Sequence, residues 1–137
     1  MNVCMELVFF IARPEDARGV ASSHDLPGEM AAEPIRADGF AALTALGERV
    51  DAGPQPAFRQ LRDATCCSYP VWSVSDAVCT RLQGLDDEQI DGLAELWQPH
   101  PESDVFDRSG CLAALREGLG VRAAGEALFV LIEERAL

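Results

Sequence analysis

The side chains best suited to chemistry in this sequence are two histidines, each of which stands beside carboxylates. His24 is followed directly by Asp25, and His100 is followed by Glu102 and Asp104. Imidazole and carboxylate groups together can bind a metal ion or transfer protons as general acids and bases. This chemistry requires the two loops to converge. A small hydrolase or metal-dependent enzyme that uses His24 and His100 is therefore the alternative interpretation.

Other catalytic patterns are missing from the sequence. All eleven basic residues are Arg, which excludes Schiff-base chemistry, a Ser-Lys dyad and the lysine of a Walker phosphate loop. There is no Gly-x-Ser-x-Gly elbow of the serine hydrolases. Ser75 stands where a strand pattern gives way to a helix pattern and could bind an anion there, but a helix cap is the simpler explanation. The sequence therefore identifies no catalytic residue and weighs against an enzyme, and the favoured interpretation includes no cofactor and no metal ligand.

The cysteines point to a reducing compartment. Their number is odd, and no Cys-x-x-Cys spacing suggests a zinc knuckle or a redox pair. Cys4 falls in a strand pattern and Cys79 and Cys111 fall in helical patterns, where we expect them to act as small buried hydrophobic residues. The adjacent pair Cys66 and Cys67 lies in a loop pattern, and a vicinal pair can act as a redox switch.

Acidic residues are the most prominent charged feature. Twenty-three acids against eleven Arg give a net charge of −12, which repels phosphate backbones and anionic lipid and attracts a basic partner. The six acids and one Arg between Ser75 and Trp97 exclude a DNA-binding helix-turn-helix around Gly84. Acids on a solvated helix face also complement the helix dipole, which is their simpler role. As a functional role, we predict a partner-binding face formed by Asp86, Asp87, Glu88, Asp91, Glu95, Glu102 and Asp104.

The segment from Val71 to Trp97 has the clearest structural pattern, and we expect the rest of the chain to pack around it. It predicts a strand at 71–74, a helix at 76–83 capped by Ser75, and a helix at 86–97. The second helix begins with an Asp-x-x-Gln capping box, and its apolar stripe ends at Trp97. Trp97 is therefore predicted to be buried in the core and not to bind a ligand.

The flanking regions complete the predicted fold, an α+β fold in which residues 1–137 form a single domain. The strands at 3–12 and 127–133 are apolar on both faces and must share one small sheet, on which four or more helices pack. The first of these strands is too short, and too acidic at Glu6, for a signal peptide or membrane anchor. The remaining predictions are an edge strand at 34–36, a helix at 39–50 capped by Asp38, two helical turns at 57–64, and a helix at 110–124 capped by Ser109 or Asp107.

Four segments in order carry a resemblance: VWSVSDAV, LQGLDDEQ, a helix ending in ELW, and GEALFVLIEE. Their order resembles small uncharacterised acidic bacterial proteins with an L-x-x-L-D-D…W stretch, some of which are regarded as immunity proteins beside secreted toxins. The resemblance covers roughly the C-terminal half and implies no catalytic residue. Its motifs are structural, so it supports the fold more than a function. The net charge and the lack of catalytic and membrane patterns predict a cytoplasmic protein that binds a basic protein such as a toxin, without binding nucleic acid or membrane.

Overall fold

The first and last strands of the described residues pair with each other in the middle of the sheet. The computed structural model describes residues 3–136. Within them, the sheet contains β1 (Val3–Ala12), β2 (Ile35–Ala37), β3 (Phe58–Arg62), β4 (Val71–Val74) and β5 (Ala127–Ala136). The strands pair antiparallel in the order β2-β1-β5-β4-β3, and β1 and β5 pair along their full lengths from Val3↔Ala136 to Ala12↔Ala127. The predicted α+β fold and the shared sheet of the two terminal strands are therefore confirmed.

One face of the sheet carries the main core. The helices in residues 3–136 are α1 (Pro14–Ala17), α2 (Phe40–Val50), α3 (Asp76–Gln83), α4 (Asp87–Leu96) and α5 (Val105–Val121). Leu7 and Phe9 of β1 and Val130 of β5 share a buried cluster with the apolar faces of α2 to α5. Successive strand residues point to opposite faces, so this cluster uses alternate positions of each strand.

A smaller core covers the other face. Val8 and Phe10 of β1 pack with Phe129 and Leu131 of β5, and Ala17 of α1 covers them. The rings of Phe10 and Phe129 stack with their centroids 5.7 Å apart. These two cores explain why both terminal strands are apolar on both sides.

The hairpin of α3 and α4 forms as its sequence predicts. The Ser75 hydroxyl accepts a hydrogen bond of 3.2 Å from the Val78 amide at the start of α3. Asp86 and Gln89 form the reciprocal capping box of α4, with bonds of 2.8 and 2.9 Å. Trp97 is 0% exposed, which confirms its place in the core.

Several predicted boundaries were wrong. Residues 57–64 hold strand β3 and not a helix, because Phe58 packs into the main core while Leu61 packs on the opposite face. The N-cap of α2 is Gly39, with φ +80°, and not Asp38. Helix α5 begins at Val105, five residues before the predicted start, because Asp104 caps it through the Phe106 amide at 2.8 Å. The edge strand predicted at 34–36 is confirmed as β2.

Candidate partner-binding site

Helices α4 and α5 form an antiparallel pair whose register is set by three polar contacts. Asp87 pairs with the Arg116 guanidinium at 2.6 Å. Further along α4, Asp91 accepts a hydrogen bond from the Ser109 hydroxyl, and the Ala94 carbonyl accepts one from Arg108. This register places the C-terminal end of α4 beside the N-terminal end of α5.

The buried side chain of Arg108 links the end of α4 to the segment that precedes α5. Its side chain is buried, and its Nε donates a 2.8 Å bond to the Ala94 carbonyl near the end of α4. Its Nη1 donates to the carbonyl and the hydroxyl of Ser103, at 2.7 and 3.0 Å. A cation at a helix C-terminus is favoured by the helix dipole. Arg108 therefore fixes the connection 97–104 and the direction in which α5 begins.

The predicted acids of α4 lie together on its outer side. Glu88, Asp91 and Glu95 recur at helical spacing and are exposed, while Ile90, Leu93 and Ala94 face the core. Glu88 and Glu95 have no ion-pair partner anywhere in residues 3–136. Asp91 has no ion pair either but accepts the Ser109 hydrogen bond, so Glu88 and Glu95 are the α4 carboxylates without either kind of partner in residues 3–136.

The other predicted acids already have structural partners. Asp87 is paired with Arg116, and Asp86 and Asp104 accept hydrogen bonds from backbone amides as helix caps. Glu102 pairs with Arg36 of β2 at 2.9 Å, with both side chains at least partly exposed. Exposed ion pairs of this kind stabilise a fold by about 0–1 kcal/mol, so Asp87 and Glu102 could change partners at little cost.

Three large apolar side chains are exposed where α4 ends and α5 begins. Phe106 is 82% exposed, Leu96 is 57% exposed and Val105 is 40% exposed. The antiparallel register places Leu96 and Glu95 next to the start of α5. An exposed aromatic among apolar neighbours typically marks an interaction surface. We call the outer side of α4 together with this junction the acidic–aromatic face; it comprises Glu88, Asp91, Gly92, Glu95, Leu96, Val105, Phe106 and Gly110.

Two glycines of this face are not required by packing within the chain. Gly92 lies within α4 and Gly110 within α5, and a Cβ added at either would meet no atom within 4 Å. A glycine inside a helix costs about 1 kcal/mol relative to alanine. Glycine at such a position allows close approach by another backbone.

Acidic residues dominate this region, and only Asp87 and Glu102 among them have an ion-pair partner in residues 3–136. Residues 86–107 contain eight acids and no Arg. The eight are Asp86, Asp87, Glu88, Asp91, Glu95, Glu102, Asp104 and Asp107. Seven of them were predicted from the sequence as site residues, whereas Asp107, Leu96, Val105, Phe106 and both glycines were missed. The exposure of Phe106 could have been predicted from the sequence, because Phe106 lies outside the apolar stripe of α5.

The two histidines lie in different clefts. His24 is exposed in a short 3₁₀ turn (Ser23–Asp25) and lines a cleft with Tyr69 and Glu133. His100 lines a cleft with Met5, Arg36 and Glu102, and its Nδ1 accepts a 3.0 Å bond from the Glu102 amide. The two clefts have no lining residue in common. No group of three or more His, Cys, Asp and Glu side chains in residues 3–136 is arranged to hold a metal ion.

The polar groups around His24 anchor a loop to the sheet. Glu133 is a buried carboxylate of β5, and it accepts bonds from the amide and the hydroxyl of Ser23 at 2.7 and 2.8 Å. Hydrogen bonds from the amides of Ser22 and Ala21 hold the pKa of Asp25 below its usual value. The Ser23 hydroxyl therefore bonds to a carboxylate and not to an imidazole.

In comparisons of this chain with known proteins, no protein-family model, no curated protein and no solved structure matches. Within the described residues, every helix is too short or too polar to cross a membrane.

Proposed function

We propose that this protein binds a basic protein partner through its acidic–aromatic face. The observation that carries the proposal is the exposure of Phe106, at 82%, in a segment whose eight acids have no Arg among them. Aromatic side chains are enriched in the energetically important centres of protein interfaces. Carboxylates around such a centre favour a partner with complementary positive charge.

Each part of the face has a distinct role. Phe106, with Leu96 and Val105, supplies apolar area that the partner removes from water. Glu88 and Glu95 are free to pair with basic side chains of the partner. Gly92 and Gly110 face open space, because a Cβ added at either site would have no atom within 4 Å. Since glycine has no Cβ, the partner can approach the helix backbones closely at these two positions.

The most concrete form of this function is that of an immunity protein acting in the cytoplasm on a basic toxin. The resemblance of the C-terminal half to small acidic bacterial proteins supports this form. So do the cysteines, whose odd number and lack of a Cys-x-x-Cys spacing are typical of a reducing compartment. A net charge of −12 would also speed the encounter with a basic protein, to association rates of about 10⁸ M⁻¹s⁻¹ or more at low salt.

The test is a comparative capture from lysate of the source cells. Wild-type protein and the Phe106→Ala variant are immobilised in parallel, and bound chains are identified by mass spectrometry. We expect a basic protein on the wild type that is strongly reduced on Phe106→Ala. Val121→Ala is the matched control, because Val121 is 81% exposed at the far end of the same helix. A partner held equally by all three proteins, or no basic protein at all, would overturn the proposal.

A further inference from the structure

A second site lies outside the acidic–aromatic face, in the turn that joins β3 to β4. Cys66 and Cys67 occupy the two central positions of this turn, both are exposed, and their sulfur atoms are 3.3 Å apart. The proposed function uses neither of them. The remaining cysteines of the chain are partly or fully buried.

Hydrogen bonds hold the backbone of the turn that carries the two thiols. The Thr65 amide donates a 2.9 Å bond to the Ser68 carbonyl, and the hydroxyls of the same two residues are 2.6 Å apart. The Cys67 amide also donates to the Thr65 hydroxyl, at 3.2 Å. On the far side, the Tyr69 amide is bonded to the Ala21 carbonyl at 3.0 Å. These bonds order the backbone of the turn before any ligand arrives, which lowers the entropic cost of binding both thiols to one ligand.

We infer that Cys66 and Cys67 form a dithiol site for a monosubstituted trivalent arsenical. The spacing of the sulfurs distinguishes this ligand from common thiol-binding metals. Tetrahedral zinc, with bonds of about 2.3 Å, would separate two sulfurs by about 3.8 Å and requires further ligands. Mercuric ion prefers its two thiolates on opposite sides. A pyramidal arsenic(III) centre holds two thiolates close to a right angle, which brings their sulfurs nearer to each other than zinc does and fits the 3.3 Å spacing of this turn. In a monosubstituted arsenical, the third position of the arsenic is already occupied by carbon.

The binding step is a condensation without a change of oxidation state. The two thiols add to an organic arsenic(III) oxide, two As–S bonds form, and the As–O bond breaks. The oxygen leaves as water with the two thiol protons, and arsenic remains trivalent. No oxidant or reductant takes part.

Phenylarsine oxide is the probe, with the reduced protein and intact-mass detection. We expect one adduct per chain, corresponding to the reagent minus water, that survives an excess of a monothiol and is removed by a small dithiol. Cys66→Ser and Cys67→Ser should each weaken binding by about 100-fold or more, since the chelate effect of two linked ligands is of that order. Cys4→Ser is the control and should retain the adduct.

Either of two results would overturn the inference. The first is an adduct that Cys66→Ser and Cys67→Ser both retain, and the second is an adduct that a monothiol displaces from the wild type. Both positions are exposed in a turn, so far-UV circular dichroism of the variants should match the wild type.

Discussion

The indole nitrogen of Trp97 donates a buried hydrogen bond of 2.9 Å to the main-chain oxygen of Ala42 in α2. Trp97 is the C-cap of α4, so this bond ties the end of α4 to α2 across the core. It also fixes the point from which the chain leaves toward Phe106. The position of the acidic–aromatic face therefore depends on how Trp97 packs and bonds in the core.

Truncating Trp97 should destabilise the protein strongly. Trp97→Ala removes a side chain that is 0% exposed and should cost about 3–5 kcal/mol of unfolding free energy. Trp97→Phe retains much of the volume but loses the bond to Ala42, so its cost should be smaller. Urea titration followed by circular dichroism measures both. An unchanged midpoint for Trp97→Ala would contradict the assignment of Trp97 to the core.

Replacing Arg108 should destabilise the junction between α4 and α5. Hydrogen bonds to charged groups contribute about 1.5–3 kcal/mol each, and Arg108 makes three, so Arg108→Ala should cost at least about 2 kcal/mol. Arg108→Lys should recover only part of this loss, because an ammonium group cannot reproduce the planar arrangement of donors. Chemical denaturation compares the two variants. Full rescue by Lys would show that charge alone matters at this position.

Alanine at Gly92 and Gly110, the helix glycines of the acidic–aromatic face, should stabilise the free protein. Gly92→Ala and Gly110→Ala should each add about 0.5–1 kcal/mol, because a Cβ meets nothing there and alanine favours the helix. Gly47→Ala is the matched control in α2, where the new Cβ would lie 2.8 Å from the Cβ of Ala57. That variant should be destabilised by about 1 kcal/mol through overpacking. Stabilised Gly92→Ala and Gly110→Ala proteins that also bind the basic partner unimpaired would remove these glycines from the face.

Burial of Cys111 should make stability fall at alkaline pH. Burial raises the pKa of the Cys111 thiol to about 12 from the ordinary value of 9.0. Above pH 9 the unfolded chain loses this proton first, so its contribution to stability is full below pH 9.0 and falls as the pH rises toward 12. The slope is at most about 1.4 kcal/mol per pH unit.

The check compares unfolding free energies at about pH 8 and about pH 10. The loss between the two should be smaller in Cys111→Ala than in the wild type, whatever the variant's stability at the lower pH. Cys67→Ala, at an exposed position, should keep the wild-type pH dependence. The same pH dependence in Cys111→Ala would show that another group causes the alkaline loss.

Predictions from the sequence were most accurate where the capping residues and the apolar periodicity both fit a single secondary-structure element. Three kinds of feature lie where the sequence predicts them: the caps Ser75 and Asp86, the apolar stripe ending at Trp97, and the two terminal strands that are apolar on both faces. In each case, hydrogen-bonding groups and apolar periodicity favour the same element. The prediction failed at β3, because Phe58 and Leu61 are three residues apart, which fits a helix face as well as opposite faces of a strand.

The candidate site was predicted only in part, because the roles of its residues depend on contacts between elements that are distant in the sequence. The acids of α4 stand out in the sequence by their density, but their ion pairs and caps depend on contacts with α5 and β2. The start of α5 was placed too late because residues 98–107 have the pattern of a polar, proline-punctuated connection, and Phe106 lies outside the apolar stripe of that helix. Because Phe106 is exposed, it gives no apolar signal for the helix start, and it is the aromatic residue of the proposed surface.

The decisive measurement is the rate at which the captured basic partner associates with two charge-reversal variants of equal net charge. Glu88→Arg with Glu95→Arg changes free carboxylates of the face. Glu15→Arg with Asp16→Arg changes exposed acids of α1, beside the smaller core on the other side of the sheet. Each pair of reversals adds four charges and takes the net charge from −12 to −8.

Stopped-flow association at low and high salt separates local from global electrostatics. We expect Glu88→Arg with Glu95→Arg to slow association by about 10-fold or more at low salt, with the difference shrinking as salt is added. Glu15→Arg with Asp16→Arg should have a much smaller effect. Equal slowing by both double variants, or none by the first, would contradict binding through the acidic–aromatic face.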